Sequence, residues 1–220
     1  MDEKDRVVQT LNSLRIFRGV PFKEIERIYY DFTPKISFYN KGDVIIKEGE
    51  LTDCFGVVIE GSVIGTKITT DNISHLNFVL TKGGVFNLES AVSRLKETPI
   101  TTIAREDCSV LMLDFDVLNA NSVEHVIKEN LIEFLADLVI KQNYRIEMLS
   151  ATKVRDRLEI FFHVLSKKNK DSYFNIKMTQ NELAEYLCVN RSALCKELNL
   201  MKKEGIIDFR GNEYKLLKKL

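Results

Sequence analysis

The sequence of 220 residues contains little of what marks several large classes of protein. It has three prolines and no tryptophan, a composition that excludes collagen-like and proline-rich linker chains. No apolar run approaches about 18 residues, and this excludes a transmembrane helix. The charged first residues lead into no apolar segment, so we expect no secretory signal.

Cysteine is scarce as well. The four cysteines are Cys54, Cys108, Cys188 and Cys195. They form no CxxC pair, which argues against a structural zinc site and against a thioredoxin-type motif. Free thiols in a chain without a leader indicate a cytoplasmic protein that does not associate with membranes.

The familiar catalytic patterns are also missing. The sequence contains no Walker loop, no HExxH motif and no Ser/His/Asp arrangement. One alternative is a metal enzyme of the cupin type, in which two histidines and a carboxylate on neighbouring strands bind the metal. Of the three histidines, only His75 lies in the β-rich part of the chain, so this ligand set is incomplete. We therefore expect that the protein is not an enzyme.

The charges that are present divide the chain in two. Apolar residues make up 45% of the sequence and the net charge is zero, as in an ordinary globular protein with real cores. Residues 1–150, however, carry 17 basic and 23 acidic side chains, whereas residues 151–220 carry 15 and 9. This asymmetry indicates two modules, of which the basic one is the candidate for a polyanionic partner. The alternative is a solvated surface with uneven charge.

Short runs rich in Val, Ile, Thr and Phe recur between residues 35 and 115, separated by glycine and polar residues. This pattern predicts an antiparallel sandwich or barrel. The predicted strands are 35–39, 44–49, 55–60, 63–69, 74–80, 100–104 and 109–113. Residues 22–32 have helical spacing, and we expect this helix to cover one end of the barrel.

Residues 117–149 contain neither glycine nor proline and predict a long helix. Its apolar residues fall on two strips, and one strip approximates the a/d seam of a coiled coil. We expect this seam to pair with a second copy of the chain through Ile127, Leu131, Phe134, Leu135 and Leu138. A second strip contains Val126, Ile132, Val139 and Ile140. The alternative is a helix that packs wholly within its own chain.

The most informative stretch begins at residue 179, after another amphipathic helix that ends within residues 167–171. Thr179 and Glu182 form a capping box that opens a short helix. Asn190 is a suitable N-cap for a second helix that ends before Gly205, a residue suited to the left-handed C′ position. Two short strands around a tight turn follow in residues 206–217. This order predicts a helix-turn-helix with a wing.

The second helix of this motif presents a polar outer face that could reach base edges or phosphates in a major groove. Lys202 lies in its last turn, where a cation suits the helix dipole. The alternative is a helical hairpin without a nucleic-acid role. The side chains that we expect to contact DNA are Thr179, Gln180, Asn190, Arg191, Ser192, Cys195, Lys196, Asn199 and Lys202.

A β-barrel, a long helix and a C-terminal winged helix-turn-helix together resemble the Crp/Fnr superfamily of bacterial transcription regulators. The clearest similarity lies in residues 183–198 and 203–207, and Glu106-Asp107 matches the end of the family's sensor barrel. The resemblance implies an α+β fold with a cyclic-nucleotide-binding-like double-stranded β-helix or jelly roll. It divides the chain into a sensor domain (1–116), a dimerisation helix (117–150) and a DNA-binding domain (151–220).

The same resemblance implies a homodimer that binds a near-palindromic operator, with half-sites about 34 Å apart, and that contacts RNA polymerase. It places Arg191, Ser192 and Lys196 at the positions that read DNA. Two positions depart from the family pattern. Cys188 occupies a turn position often held by glycine, and Ser192 stands where the family frequently has glutamate.

The sensor segment departs further from the family members that bind cyclic AMP. Leu88 stands where they carry a ribose-binding glutamate, with Glu89 one place later, and their Arg-Ser pair aligns with Thr98-Pro99. Losing the arginine removes a charge-assisted contact worth roughly 1.5–3 kcal/mol. We therefore expect no useful binding of cyclic AMP.

Other cofactors of the family also fit poorly. No cysteine precedes Cys54, which argues against an iron–sulfur cluster, and a hydrogen-bonded or surface role suits His75 better than haem ligation. An unidentified effector is expected instead. By analogy, its pocket consists of Phe86, Asn87, Leu88, Glu89, Thr98, Pro99, Ile100 and Thr101. A barrel-based sensor or interaction protein that does not bind DNA is the alternative function.

Overall fold

The structure is a computed structural model that describes residues 2–68, 74–119, 123–169 and 172–218. The chain divides into two compact units. The first unit comprises Met1–Lys67 with Asn77–Leu138, and the second comprises Ile68–Leu76 with Val139–Leu220. No helix within the described ranges is both long and apolar enough to span a bilayer.

Eight strands form two antiparallel sheets whose inner faces share one apolar core. One sheet has the order β1-β8-β3-β6 and the other the order β2-β7-β4-β5. Each of the seven predicted strands is present, although Thr69, the last residue predicted for one of them, lies outside the described residues. The short strand β6 was not predicted. The strands are β1 (Ile36–Tyr39), β2 (Val44–Ile46), β3 (Cys54–Glu60), β4 (Ser62–Ile68), β5 (Ser74–Thr81), β6 (Val85–Phe86), β7 (Thr101–Ala104) and β8 (Cys108–Asp114).

Aromatic rings lie against two glycines in this inner core. Gly56 in β3 pairs directly with Phe86 in β6, and a Cβ atom on Gly56 would stand 2.0 Å from the ring atom Cζ. A Cβ atom on Gly65 would similarly stand 2.4 Å from Phe78. Each glycine thus provides the space that a large ring needs to pack flat on the strand.

Helices cover the outer face of the sheet that contains β1. These are α1 (Glu3–Ser13), a 3₁₀ turn (Arg15–Phe17) and α2 (Phe22–Phe32), and a third short helix, α3 (Leu88–Val92), follows β6. The α2 bounds match the prediction. However, its buried residues Ile25 and Ile28 belong to one cluster with Phe55 and Leu111 of the sheet, so α2 packs on a sheet face together with α1 rather than across a barrel end.

The long helix α4 runs over Glu124–Ser150, and a 3₁₀ turn at Phe115–Asn119 precedes it. The predicted start at residue 117 is therefore too early, and residues 120–122 lie outside the described ranges. A buried amide anchors the helix: Asn130 Nδ2 donates to the carbonyls of Ile16 at 3.0 Å and Arg18 at 2.8 Å. Because a buried amide without partners is costly, this pair of bonds fixes which face of α4 lies against the core.

The second unit has its own core, between three helices and a small sheet of order β10-β11-β9. Its central residues are Leu158, Phe162, Leu183, Leu194, Leu198, Met201 and Tyr214. Burial of Tyr214 in this core raises its pKa to about 12. The elements are α5 (Val154–Asn169), β9 (Tyr173–Asn175), α6 (Gln180–Tyr186), α7 (Arg191–Lys203), β10 (Ile207–Arg210) and β11 (Glu213–Leu216). Of the run predicted to end α5, residues 170 and 171 lie outside the described ranges.

The close contact between Gly56 and Phe86 makes a testable prediction for stability. We expect Gly56→Ala to lower the free energy of unfolding by about 1–3 kcal/mol, because the ring must leave its position to admit the methyl group. Urea denaturation measures the change. Adding Phe86→Leu should recover part of the loss in the double variant, since leucine leaves room above the strand. Wild-type stability in Gly56→Ala would contradict this packing.

Candidate nucleic-acid interface

The helix-turn-helix begins with the predicted capping box at the start of α6. The Thr179 hydroxyl accepts from the backbone N–H of Glu182 at 3.3 Å, and the Glu182 carboxylate accepts from the N–H of Thr179 at 2.6 Å. Two donors that the helix cannot satisfy are thus paired reciprocally. The start of α6 is therefore fixed by local sequence.

The turn between α6 and α7 passes through Cys188 in the left-handed region, with φ of 51°. Glycine adopts this conformation without strain, so a cysteine here depends on its surroundings. Arg157 of α5 holds this turn in place, because its guanidinium donates to the carbonyls of Leu187 at 2.7 Å and Cys188 at 2.9 Å. Ala184 is buried where the helices meet, as expected of a small residue at a crossing.

Helix α7 buries one side and exposes the other. Leu194, Leu198 and Met201 are buried, whereas the outward positions are polar. Of the predicted contact residues on α7, Arg191, Ser192, Lys196, Asn199 and Lys202 are exposed and Cys195 is half-buried. Asn190 occupies the N-cap position, but its side chain makes no capping bond. The helix ends as predicted at Gly205, with φ of 65°.

Three predicted contact residues, Gln180, Cys195 and Lys202, bind other parts of the protein itself. Cys195 Sγ donates to Gln180 Oε1 at 3.3 Å, and this links α7 to the start of α6. Lys202 pairs with Asp208 of β10 at 2.6 Å and donates to the carbonyl of Phe209 at 3.1 Å. The Lys202 ammonium lowers the pKa of Asp208. Lys202 is therefore a tether for the wing more than an unpaired charge for phosphate.

Two acidic side chains, one in α7 and one at its C-cap, bind the same arginine. Arg155 of α5 donates to Glu197 at 2.6 Å and, through two nitrogens, to Glu204 at 2.5 and 3.0 Å. These bonds lower the pKa of Glu204 and raise that of Arg155. With the carboxylates paired to α5, the exposed face of α7 keeps the positive charge of Arg191 and Lys196. Sequence periodicity identified this face, but Arg155 gave no signal because its partners are 42 and 49 residues away in the chain.

The wing contributes a cation that the sequence analysis missed. Arg210 ends β10 and is exposed beside Gly211, whose φ is 59°. An Arg-Gly-Asn turn between two strands is the signal that could have identified it. Its place at the tip of the wing makes it a further candidate for phosphate contact.

The residues proposed as an effector pocket are mostly used by the fold. Phe86 and Leu88 are buried in the two cores of the first unit. Asn87 Nδ2 donates to the carbonyl of Cys54 at 2.9 Å, and the Thr98 hydroxyl donates to the carbonyl of Ile100 at 3.1 Å. Of the other members of the set, Glu89 and Pro99 are exposed and Ile100 is half-buried. The Thr101 hydroxyl accepts from the backbone N–H of Glu48 at 3.1 Å.

The two positions that the family resemblance assigns to contacts with a cyclic nucleotide hold uncharged, buried side chains. A cyclic phosphodiester needs a cation, and the position of the family arginine holds Thr98, which is 1% exposed. The position of the ribose-binding glutamate holds Leu88, which is fully buried. An open cleft lies elsewhere in the first unit and is lined by Phe38, Tyr39, Asn40, Glu60, Asp107, Cys108 and Ser109. Among the described residues, no three His, Cys, Asp or Glu side chains are arranged to hold a metal ion.

The strip predicted to pair with a second chain faces the chain's own core. Ile127 is 0% and Leu131 is 8% exposed, and Phe134 and Leu135 pack against the same cluster. Ile127 and Leu131 therefore have almost no surface left for a partner, and Leu138 is half-buried. Of the five residues predicted for the seam, Ile127 and Leu131 are thus used by the chain's own core, whereas Phe134, Leu135 and Leu138 keep part of their surface.

A different face of α4 is open. The exposed face, called the outer stripe below, consists of Ile132, Ala136, Val139, Asn143 and Ile146. Ile132, Val139 and Ile146 are 68%, 60% and 63% exposed. The positions alternate in steps of four and three, which is the spacing of a coiled-coil seam.

Family models match both parts of the chain. A model of the cyclic nucleotide-binding domain matches residues 36–121, and a model of the Crp-like helix-turn-helix domain matches residues 131–219. No curated protein is significantly similar in sequence over the chain.

Solved structures of related fold extend over nearly the whole chain. A CooA mutant from Carboxydothermus hydrogenoformans is 18% identical with a TM-score of 0.71, covering 96% of this chain and 91% of that one. FixK2 from Bradyrhizobium japonicum is 18% identical with a TM-score of 0.67, covering 84% and 93%. The Catabolite Activator Protein of Thermus thermophilus is 20% identical with a TM-score of 0.54, covering 92% and 93%. At these identities, the likeness shows a shared fold.

The Arg155 cluster makes a prediction that depends on pH. Because Glu204 has a lowered pKa in the folded protein, its bond to Arg155 stabilises the fold above the ordinary glutamate pKa of about 4.3. That stabilisation is lost as the pH falls through the lower, folded-state value. We expect Arg155→Ala to lower the melting temperature by about 2–4 °C at pH 7, and by progressively less as the pH falls below about 4.3.

Thermal denaturation at pH 7 and at a series of pH values from about 5 down to about 2, the range in which carboxylates with lowered pKa values become protonated, measures this difference. Arg27→Ala is the matched control, because Arg27 is an exposed arginine whose ion pairs with Glu24 and Asp31, at 3.9 and 3.5 Å, lie within one helix at the surface. Such pairs contribute little, and this variant should melt like the wild type. A difference for Arg155→Ala that is the same at every pH would show that the ion pairs do not stabilise α7.

Proposed function

The chain belongs to the Crp/Fnr superfamily of transcription regulators, and we propose on that premise that it acts as a homodimer that binds a near-palindromic operator in double-stranded DNA. The family consists of regulators rather than enzymes. The proposed effector is a small molecule other than cyclic AMP, and RNA polymerase is a proposed partner by family resemblance. The proposed site of action is the cytoplasm.

The observation that carries the proposal is the exposed face of α7. Arg191, Ser192 and Lys196 lie on one side of a helix whose opposite side is buried. A helix of this length fits a major groove, where an arginine can donate two bonds to the O6 and N7 atoms of guanine. Because Arg155 binds Glu197 and Glu204, these carboxylates add little repulsion toward phosphate.

The outer stripe of α4 supports self-association. Its residues at every seventh position are Ile132, Val139 and Ile146, and the positions between them hold Ala136 and Asn143. A small alanine allows two helices to approach closely, and a polar asparagine at a seam position specifies register and the number of strands. The proposed occupant of this stripe is the same stripe of a second copy, related by a twofold axis.

Arg191 provides the test of sequence-specific binding. We expect Arg191→Ala to weaken binding to the operator by 1–3 kcal/mol, or about 5- to 150-fold, with the loss confined to one base pair of each half-site. Fluorescence anisotropy on operator fragments selected from genomic DNA, and on random DNA, measures both affinities. Lys82→Ala, an exposed cation in the β5–β6 turn, is the control and should bind like the wild type. An equal loss on random DNA, or no binding to any DNA at low salt, contradicts the proposal.

The outer stripe provides the test of self-association. We expect Val139→Asp to convert a dimer into a 25.4 kDa monomer, because a charge buried in a helix seam lacks a partner. Light scattering after size-exclusion chromatography measures the mass. Leu95→Asp is the matched control, because Leu95 is an apolar residue that is 78% exposed and is not part of α4. If Val139→Asp keeps twice the chain mass, the outer stripe is not the interface.

A further inference from the structure

A thiol and an imidazole meet in the second unit, at the turn of the helix-turn-helix. The Sγ atom of Cys188 lies 3.3 Å from Nδ1 of His75. Both side chains are half-buried. A nucleophile and a base within hydrogen-bond distance form the pair from which activated thiols are built.

The other three thiols have different surroundings. Burial, with nearby carboxylates as a smaller cause, raises the pKa of Cys54 and of Cys108, so both remain protonated and unreactive near neutral pH. Cys195 donates its S–H to the side-chain oxygen of Gln180 at 3.3 Å. Of the four thiols, all of them in described parts of the chain, Cys188 is the one that meets a base.

Both members of the pair are held in place by arginines. Arg145 of α4 donates to the carbonyl of Leu76 at 2.9 Å, and its guanidinium lies 4.4 Å above the ring of Tyr186. These contacts fix the residue that follows His75. Arg157 binds the carbonyl of Cys188. The distance between thiol and imidazole is therefore set from both sides, as a preorganised reactive pair requires.

We propose that Cys188 is a modification site for hydroperoxides, with His75 as its base. The imidazole takes the thiol proton, and the thiolate attacks one peroxide oxygen. The S–O bond forms as the O–O bond breaks, and the leaving hydroxide or alkoxide takes the proton back from the imidazolium as water or an alcohol. Sulfur is oxidised by two electrons, the peroxide is reduced, and Cys188 becomes a sulfenic acid.

The product alters the turn that carries α7. The added oxygen occupies the space between Sγ and Nδ1, which are only 3.3 Å apart, so the contact with His75 cannot persist. Cys188 also lies three residues before Arg191 and has a backbone conformation that depends on its contacts. Oxidation therefore lowers the affinity for DNA. This consequence rests on the proposed function, whereas the chemistry at Cys188 does not.

The test uses the full-length protein at pH 7 with stoichiometric hydrogen peroxide. Sulfenic acids are trapped with dimedone, and mass spectrometry of the peptides gives the rate at each cysteine. We expect Cys188 to react at least about tenfold faster than Cys195, and His75→Ala to remove that advantage. His75→Asn, which keeps a hydrogen-bonding group near the Nδ1 position but is no base, should be as slow, and added imidazole should restore part of the rate in His75→Ala.

Each outcome decides one part of the proposal. If Cys188 reacts no faster than Cys195, or if His75→Ala reacts at the wild-type rate, the modification site is wrong. If Cys188 reacts as expected but peroxide leaves operator binding unchanged, the effect on DNA is wrong while the site stands. A tenfold loss of affinity on oxidation that Cys188→Ser abolishes supports both. A chain that binds no DNA overturns the proposed function, and the labelling rates still decide the chemistry.

Discussion

One guanidinium joins the end of the long helix to the turn that carries the DNA-binding face. Arg157 donates to the carbonyls of Leu149 and Ala151 at 3.2 and 2.8 Å, and to those of Leu187 and Cys188 at 2.7 and 2.9 Å. Carbonyls at the end of a helix have no donor within the helix and carry the negative end of its dipole. A single cation satisfies two such ends at once, so the end of α4 and the end of α6, where the turn to α7 begins, keep one spacing.

This constraint links the outer stripe of α4 to the placement of the DNA-binding helix. Val139, Asn143 and Ile146 of the stripe lie in the part of α4 that belongs to the second unit, as does the Leu149 carbonyl that Arg157 binds. The end of α4 and the helix-turn-helix are therefore not positioned independently. In the proposed dimer, the register of two α4 helices would set the distance between two copies of α7. Asn143 lies within the stripe, where a misaligned partner would leave its amide unpaired among apolar groups.

The sequence predicted best the features that depend on neighbours along the chain. The capping box at Thr179, the left-handed Gly205 and the bounds of α2 follow local rules and are present as expected. The burial of Ile127 and Leu131 within the chain did not follow, because α4 has two apolar strips and periodicity cannot say which one the chain covers. Asn130 decides this by binding two carbonyls more than one hundred residues away, a contact that no local pattern encodes.

Contacts between distant residues also limited what the sequence could predict about the nucleic-acid interface. Periodicity placed Arg191 and Lys196 on an exposed face, but it could not show that Lys202 is tied to the wing. Nor could it show that Gln180 is occupied by Cys195. Each of these pairings joins residues on different elements; the first reduces the charge available to a polyanion, and the second occupies a neutral hydrogen-bonding group. A list of cations on a helix is therefore an upper bound on the charge that DNA would meet.

The packing of the proposed effector segment in the first unit bears on how the protein is regulated. Phe86 packs on Gly56 in the inner core, and the polar atoms of Asn87 and Thr98 bond to backbone carbonyls. A ligand in this segment would have to displace a buried ring and break those bonds, whereas oxidation at Cys188 alters a single half-buried contact. Since a signal acts only through the difference it makes between two states, the thiol in the turn requires the smaller rearrangement, and it lies closer along the chain to α7.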